Sequence, residues 1–450
     1  MIKLKKTLKV VIVNLIVLVV LAEVASIVTY YVWTRDFFYT RTSNKLDAGL
    51  TMPGSGAPLE RGGVQQEMVQ QLHPYFGFID KVGLDHRRPY SQMSHLANNF
   101  GFASTHPYPF KKQKPNQFLV GIFGGSVAAN YAFFEMEVPT LATALKQLPE
   151  LAGKEVIILP FAIGGYKQPQ QLLVLNYFLS IGQDLDLAIN IDGFNEVALG
   201  HLNYEHRTEI SMPSDFILLP MVNLAIGNLS KEELALTLDV INKRERLASS
   251  IKSLSTSRTA TGYVLTWLWA QNAIQSYRKQ LVDLDQSRVS TGSSEQSYMQ
   301  IPTVMALGED EAFTEMVALW SRSSIMMKQL LDQRKIPYFQ FLQPNQYVKT
   351  GRAFGKEESA VAFSTASPFL HGVLKGYPLL VDEIARMRQA GVNVFSAVEV
   401  FDTIGEPVYL DNCCHYNKAG NLAFGEYVAG RVAQEIKNST ALNQQSASVR

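Results

Sequence analysis

The sequence predicts an α/β fold, a three-layer α/β/α sandwich around a mostly parallel sheet. From about residue 117 onward, short apolar runs alternate with longer stretches of helical periodicity, which is the pattern of βαβ units. The chain has 450 residues, of which 47% are hydrophobic and 18% are charged. This composition is typical of a globular protein with a substantial core. We therefore expect one large domain with an insertion, or two domains.

The N-terminal segment predicts a membrane anchor. Val10–Trp33 is an apolar run of about 24 residues, long enough to cross a bilayer. Lysines precede it and only Arg35 follows closely, so the positive-inside bias predicts a cytoplasmic N-terminus and an extracytoplasmic chain beyond about residue 34. A cleaved signal peptide is the alternative, but its apolar region is usually shorter and no small-x-small site ends this run. Glu23 inside the span must be protonated, near the outer interface or facing a partner helix.

The remaining chain divides by composition. Residues 35–115 are predicted to be a stalk and a lead-in segment, and Leu50–Gly63 is rich in glycine and proline, as flexible linkers are. The α/β domain is expected to comprise residues 116–200 and 301–437. Its predicted strands are Phe118–Phe123, Val156–Leu159, Leu185–Ile191, Tyr338–Leu342 and Asn393–Ser396.

Between residues 201 and 300 the strand pattern stops, which predicts a helical insertion outside the central sheet. Lys231–Arg246 is charged and favours a helix. Gly262–Gln280 carries several large apolar side chains, and three interpretations stay open: a lid, a surface that meets lipid, or a helix packed on its host domain. The tail, residues 438–450, is polar and is predicted to be disordered.

Composition also excludes several classes of function. The net charge of +1, without basic clusters beyond the N-terminus, gives no basis for binding nucleic acid. The only cysteines, Cys413 and Cys414, are adjacent and so offer no disulfide framework. No group of ligand-type residues has metal-binding spacing, and no glycine loop carries the lysine of a phosphate binder. We therefore expect neither a metal nor a nucleotide cofactor.

Four short segments could together form a serine-dependent site. They are Gly124-Gly125-Ser126, Gly164-Gly165-Tyr166, Gly193-Phe194-Asn195 and Asp411-Asn412-Cys413-Cys414-His415. The first three each follow a predicted strand. Because open α/β sheets present their ligand sites at the carboxyl ends of strands, we expect these three segments to lie close together.

The residue types in these segments suit nucleophilic catalysis. The hydroxyl of Ser126 can attack a carbonyl if a base lies within hydrogen-bonding reach, and His415, late in the chain beside an acidic residue, is the best candidate. The N–H groups of Ser126 and Gly165 and the amide of Asn195 could stabilise an oxyanion. Taken singly, the first segment could be a phosphate-binding loop or a plain turn, and Asn195 a turn residue.

In this order the segments resemble the sequence blocks of the SGNH hydrolases, also called GDSL-type esterases. Gly125 stands where the family usually has aspartate, and Asp411 through His415 resembles its last block. The lead-in Asn99–Phe102 also resembles that of membrane-anchored bacterial members. The resemblance covers about residues 116–200 and 310–436, and it implies an SGNH-type sandwich with Ser126 as nucleophile and His415 as base.

One departure from the family concerns the acid. The family's acid lies three residues before the histidine, where this chain has Asn412, whereas Asp411 is four before. Both offsets face the same side of a helical turn, so we predict that Asp411 orients His415 from a shifted loop. The alternative is that Asn412 orients His415, as an amide can hold the tautomer but cannot stabilise imidazolium by charge.

The leading hypothesis is a membrane-anchored esterase whose site faces the cell envelope. By resemblance, its substrates would be acyl or acetyl esters on envelope glycans, lipids or small molecules. An O-acyltransferase with the same site, passing the acyl group to a sugar hydroxyl, is the first alternative. A non-catalytic scaffold or glycan-binding protein is the second; Asn412 supports it, and the intact Ser126, Gly165, Asn195 and His415 oppose it.

Overall fold

The computed structural model describes residues 2–40, 70–88, 91, 93–226, 231–290, 302 and 307–448. The predicted linker Leu50–Gly63 lies outside these ranges. In chain order the elements are α1 (Ile2–Thr34), a 3₁₀ turn (Phe38–Thr40), β1 (Gln70–His73), β2 (Gly77–Asp80), β3 (Asp85–Arg87), β4 (Ser94–Leu96), β5 (Gln117–Gly124), α2 (Ser126–Glu137), α3 (Thr140–Lys146), β6 (Glu155–Ala162), α4 (Gln170–Ser180), β7 (Leu187–Asp192), α5 (Phe194–Glu205), α6 (Asp215–Ile226), α7 (Lys231–Thr256), α8 (Ala260–Ser290), α9 (Glu309–Asp332), β8 (Tyr338–Leu342), α10 (Lys356–Ala362), α11 (Leu370–Gln389), β9 (Asn393–Ser396) and α12 (Lys418–Ser448).

The chain forms two compact units. One consists of residues 1–68 and 229–296, and the other, which is larger, consists of residues 69–228 and 297–450. The larger unit contains every described strand, and its interior is a continuous cluster of buried apolar side chains around the central sheet.

The central sheet has five parallel strands in the order β6-β5-β7-β8-β9. The predicted mixed α/β class with a parallel sheet is confirmed, and each predicted strand overlaps one of these five, although β7 begins two residues later than predicted, at Leu187. In the register, Gly124 pairs with both Ala162 and Ile191. The carboxyl ends of β5, β6 and β7 are therefore level, and the three glycine-containing segments begin at the same edge of the sheet.

The helices of the larger unit pack in two groups. Helices α2, α3 and α12 contact one another, and α2 also packs on β5 and β6. Helices α4, α5, α9 and α11 form the second group, in which α9 contacts β8 and α11 contacts β9. The β strands between them carry almost entirely buried side chains, as expected for parallel strands covered by helices.

The part of the lead-in segment from residue 70 onward packs on this unit rather than forming its own core. Its strands make two antiparallel hairpins, β1–β2 and β3–β4. Phe76, Phe78 and Phe102 are buried in the common apolar cluster. The Tyr166 hydroxyl donates a hydrogen bond of 2.7 Å to the carbonyl oxygen of Phe78, which fastens the hairpin to the loop after β6.

The region predicted as an insertion adds no described strand to the sheet, but its boundary differs from the prediction. Helix α5 runs to Glu205 and α6 follows it, and both belong to the larger unit, so only residues 229–296 separate from it. The reason is local: Asn203 bonds to the carbonyl oxygens of Glu209, Met212 and Pro213 and holds the turn before α6. The predicted boundary at residue 201 is therefore too early.

The smaller unit is built from α1, α7 and α8. Tyr30 and Phe38 are buried against Tyr263, and the rings of Trp33 and Trp267 lie 4.5 Å apart. The apolar side chains of the predicted segment Gly262–Gln280 thus divide between a packed face and exposed positions. The exposed ones are Leu265, Leu268 and Trp269.

Within α1, Lys9–Thr34 is long and apolar enough to cross a membrane. Glu23, the charge inside this stretch, has specific partners. Its carboxylate accepts the N–H groups of Ala260 at 2.6 Å and Thr261 at 3.0 Å, and also the Tyr39 hydroxyl. These two N–H groups open α8 and have no partner within that helix, so Glu23 caps its N-terminus.

The prediction for the tail was wrong. Helix α12 continues from Lys418 to Ser448, although the sequence predicts disorder from residue 438. Its beginning is anchored by buried Phe424, Val428 and Val432. An anchored helix propagates at little cost through residues such as alanine and glutamine, because nucleation has already occurred.

Candidate functional site

Ser126 lies in a tight turn between β5 and α2. Gly124 has φ +137°, and a Cβ on it would lie 2.1 Å from the carbonyl oxygen of Ile191. A Cβ on Gly125 would lie 2.2 Å from Asn195 Nδ2. The turn therefore requires glycine at both positions, the second because Asn195 takes the space that an aspartate would need. Ser126, the first residue of α2, is left half-buried at the carboxyl edge of the sheet.

His415 is brought to Ser126 across 289 residues of sequence, with 2.8 Å between Nε2 and Ser126 Oγ. It follows the turn formed by Asp411 through Cys414 and precedes α12. A ring nitrogen at this distance can accept the hydroxyl proton as it leaves. The structure thus joins the first and last of the four predicted segments.

The neighbour that orients His415 is Asp411. Its Oδ2 lies 2.5 Å from His415 Nδ1, while its Oδ1 accepts the N–H groups of Cys413 at 2.9 Å, Cys414 at 3.0 Å and His415 at 3.3 Å. The backbone carbonyl oxygen of Asn412 accepts a hydrogen bond of 2.9 Å from the Tyr347 hydroxyl. The turn therefore directs the residue four before the histidine, and not the one three before it, to Nδ1.

The pair Asp411–His415 favours its charged forms. Burial alone would raise the pKa of Asp411, but the charge and hydrogen bond of His415 and the backbone N–H groups lower it below its ordinary value. Burial alone would lower the pKa of His415, but Asp411 and then Cys414 raise it well above its ordinary value. Mutual stabilisation of this kind is what a base needs to hold a proton during reaction.

Two further segments border Ser126 with hydrogen-bond donors. Gly164 lies beside it, since a Cβ on this glycine would be 3.8 Å from Ser126 Cβ, and Gly165 follows with φ +86°. Asn195 Nδ2 donates to the carbonyl oxygen of Tyr166 at 2.8 Å and carries a second hydrogen. Within the described part of the chain, the N–H groups of Ser126 and Gly165 donate no hydrogen bond. Convergence of all three donors on one point stays a prediction.

Sequence reasoning missed the group that joins these loops, Glu196. This buried carboxylate accepts the N–H of Gly193 at 2.7 Å, the N–H of Gln168 at 3.0 Å and Gln171 Nε2 at 3.1 Å. It therefore ties the loop that carries Gly165 to the turn that carries Asn195. A glutamate three residues after a helix-capping position is a recognisable signal, and Gly193-Phe194-Asn195-Glu196 contains it.

The two cysteines lie directly against the site. Cys414 is buried, and its Sγ is 3.3 Å from Cys413 Sγ; both thiols are free. Burial opposes a thiolate at Cys414, but the Cys413 thiol and the charge of His415 outweigh it and lower the pKa of Cys414 to about 6. Cys414 is in turn one of the groups that raise the pKa of His415.

A cavity of about 320 Å³ lies elsewhere, lined by Phe118, Leu185 and Pro337 where β5, β7 and β8 begin. None of the predicted site residues lines it. We therefore assign the candidate site to the carboxyl edge, where the hydroxyl, the imidazole and the carboxylate meet.

No protein-family model matches this chain, and a search of curated proteins finds no match. The family resemblance accordingly rests on the four motifs and their contacts.

Proposed function

We propose that this protein is a serine ester hydrolase with an SGNH-type three-layer fold. The observation that carries the proposal is the continuous contact from Ser126 Oγ through His415 to Asp411, with distances of 2.8 and 2.5 Å. Two helix groups around a parallel sheet, and glycine-dependent loops at its carboxyl edge, also fit such an enzyme. A non-catalytic scaffold would have no need of this aligned contact.

In the proposed reaction, Ser126 Oγ attacks the acyl carbonyl carbon while His415 Nε2 takes the hydroxyl proton. The carbonyl oxygen becomes an oxyanion, which the N–H groups of Ser126 and Gly165 and the second hydrogen of Asn195 would stabilise. The tetrahedral intermediate collapses, the C–O bond to the alcohol breaks, and the alcohol leaves with the proton from His415. The product is an acyl-Ser126 ester.

Water then attacks the acyl-Ser126 carbonyl and gives its proton to His415. Collapse releases the carboxylic acid, and the proton returns to Ser126 Oγ. Throughout, Asp411 holds Nδ1–H and stabilises the imidazolium. An acyltransferase would differ only in replacing water by a sugar hydroxyl, so the acceptor remains an outcome of the test.

We further propose that α1 anchors the protein in the cytoplasmic membrane with the N-terminus inside. The length and apolar surface of α1 support a membrane span. The four lysines that precede its apolar stretch support this orientation. The substrates proposed from the family resemblance are acyl or acetyl esters on envelope glycans or lipids. The test is a reporter fused after Arg450 that works only outside the cytoplasm, and we expect this reporter to be active.

The decisive test is labelling of the full-length protein in detergent with a fluorophosphonate. We expect one label at Ser126, and none in Ser126→Ala, because the Ser126 hydroxyl is in contact with the imidazole of His415. Ser180→Ala is the matched control, since Ser180 Oγ bonds to the carbonyl oxygen of Asn176 at an exposed position of α4. Labelling of Ser126→Ala at the normal rate would reject the proposal. Adding sugar acceptors during ester turnover then separates hydrolysis from transfer.

A further inference from the structure

A second group of chemically active side chains lies away from Ser126, between three helices. His201 is on α5, Glu309 is the first residue of α9, and His371 is the second residue of α11. Each offers one ligand atom, and these atoms all lie within 4.8 Å of one another. Two imidazoles and a carboxylate are a donor set that suits zinc and similar divalent transition metals.

His201 gives the independent evidence for a ligand. Among the described residues, its Nδ1 is buried without a hydrogen-bond partner, whereas its Nε2 lies 3.3 Å from Glu205 Oε1. With its proton on Nε2, on the side of the Glu205 carboxylate, the neutral ring has a bare lone pair on Nδ1. Histidines that bind metals commonly pair their other nitrogen with a carboxylate in this way.

The packing around His201 fixes the direction of that lone pair. Its ring stacks on Phe313, with 5.2 Å between centroids and an angle of 26°, and lies 4.8 Å from the ring of His371. His371 has a side chain that is 57% exposed, so an ion can reach the group from solvent. His201 is therefore held in place on the inner side, and the two outer ligands can adjust.

The other contacts of Glu309 are compatible with a bound ion and indicate how tightly the ion would bind. Glu309 Oε1 lies 2.7 Å from His371 Nε2, and Oε2 lies 2.5 Å from Lys375 Nζ. Oε1 and the His371 ring can both turn from each other to a metal while Lys375 keeps Oε2. The Lys375 ammonium also contacts Asp310 at 2.7 Å, and its positive charge near the ion weakens binding.

We propose that His201, Glu309 and His371 form a binding site for a divalent transition-metal ion of the zinc class, with solvent completing the coordination. The ion would join the beginnings of α9 and α11 to the middle of α5. This site is separate from the proposed ester chemistry, because it uses none of Ser126, His415 or Asp411.

The test uses full-length protein, freed of metal by a chelator and titrated with Zn²⁺ against a chromophoric competitor. We expect one ion per chain in the wild type and in the double variant Cys413→Ser/Cys414→Ser. His371→Ala and Glu309→Gln should lose this binding, and Glu205→Gln should weaken it by ~10-fold. Lys375→Met should tighten it. The exposed position of His371 makes misfolding a poor explanation for its loss.

His106→Ala is the matched control, because His106 lies in the lead-in segment and packs on Phe110. Co²⁺ should give the absorption of a nitrogen- and oxygen-ligated ion in the wild type and in His106→Ala, but not in His371→Ala. Zn²⁺ should also raise the melting temperature of these two proteins and not that of His371→Ala. Binding that survives in His371→Ala but disappears in the double cysteine variant would place the ion at the thiols and overturn the proposal, as would no binding at all.

Discussion

Two buried aspartates of the larger unit, Asp411 and Asp192, have pKa values that are shifted in opposite directions. Asp411 faces the imidazole of His415, and the pKa of its carboxyl is lowered despite burial. Asp192, at the end of β7, is raised well above its ordinary pKa by burial and then by Glu196, and its partners are neutral: Trp320 Nε1 at 2.7 Å, Asn190 Nδ2 at 2.7 Å and the Gln340 amide.

The difference shows that depth in the protein does not define a catalytic carboxylate. Both side chains are at least 95% buried, yet the pKa of Asp411 is lowered and the pKa of Asp192 is raised. Asp411 has a cationic partner whose imidazolium it can stabilise, whereas the neutral partners of Asp192 do not offset the effect of its burial. The variants below test this distinction, from the largest effect to the smallest.

Replacing the charged carboxylate should have the largest effect. We expect Asp411→Asn to reduce kcat/KM by ~10⁴, because an amide neither stabilises the imidazolium nor enforces the same tautomer. Asn412→Ala is the control and should retain activity, since Asp411 is the residue in contact with His415 Nδ1. Ester turnover measured for both variants decides the acid. A severe loss of activity in Asn412→Ala together with unchanged activity in Asp411→Asn would show that Asn412, and not Asp411, orients His415.

The second prediction concerns the donor side of the site. Gly125→Ala places a Cβ 2.2 Å from Asn195 Nδ2 and so must displace this amide. Removing one oxyanion donor costs ~10²–10³ in kcat, and we expect a loss of this size with KM little changed. Gly153→Ala is matched to it, since a Cβ there meets no atom within 4 Å. Equal activities for the two variants would contradict a role for Asn195.

The sequence predicted the site as far as its signals are local. Ser126, Gly165 and Asn195 could be placed because each follows a strand that is buried and apolar, and His415 because an acid precedes it. Asp411 was distinguished from Asn412 only by the turn, in which its Oδ1 accepts three successive N–H groups. That geometry depends on backbone angles that residue types alone leave open.

Several features that sequence reasoning missed depend on distant pairs. Asp192 meets Trp320 across 128 residues, and Glu23 meets Ala260 across 237. The proposed metal ligands His201, Glu309 and His371 come from three different helices. A spacing pattern reveals only ligands that lie close together in the sequence. The boundary at residue 201 was misplaced because Asn203 holds the turn before α6, and the tail because α12 propagates from its buried beginning.

The third prediction uses pH. Because Asp411 and Cys414 hold the pKa of His415 well above its ordinary value of 6.5, the free base forms only at higher pH, and kcat/KM should rise through that pKa. Cys414→Ser removes one of the groups that raise it, so the rise should move to lower pH. Asn412→Ala, which removes no charge, should keep the wild-type profile. An unchanged profile in Cys414→Ser would mean that the thiol does not influence the base.

The smallest effect is expected for Asp192→Asn, and it concerns stability. Asp192 binds its proton more tightly when folded, so its contribution is present below the unfolded pKa of about 3.9 and is lost as pH rises toward the raised folded value. Relative to the wild type, Asp192→Asn should therefore become more stable as pH increases above ~4. Asp411 has the opposite sign: its contribution is present above the unfolded pKa and is lost as pH falls through the lowered folded value.

Melting temperatures of the full-length wild type and both variants, recorded in detergent from acid to neutral pH, test the comparison directly. The difference between Asp411→Asn and the wild type should be largest near neutral pH and shrink in acid, whereas that for Asp192→Asn should become more favourable toward neutral pH. Activity of Asp192→Asn should stay close to that of the wild type, because Asp192 is not among the groups that shift the pKa of His415. Parallel slopes for the two variants would show that both aspartates carry the same charge, and the distinction drawn between them would be lost.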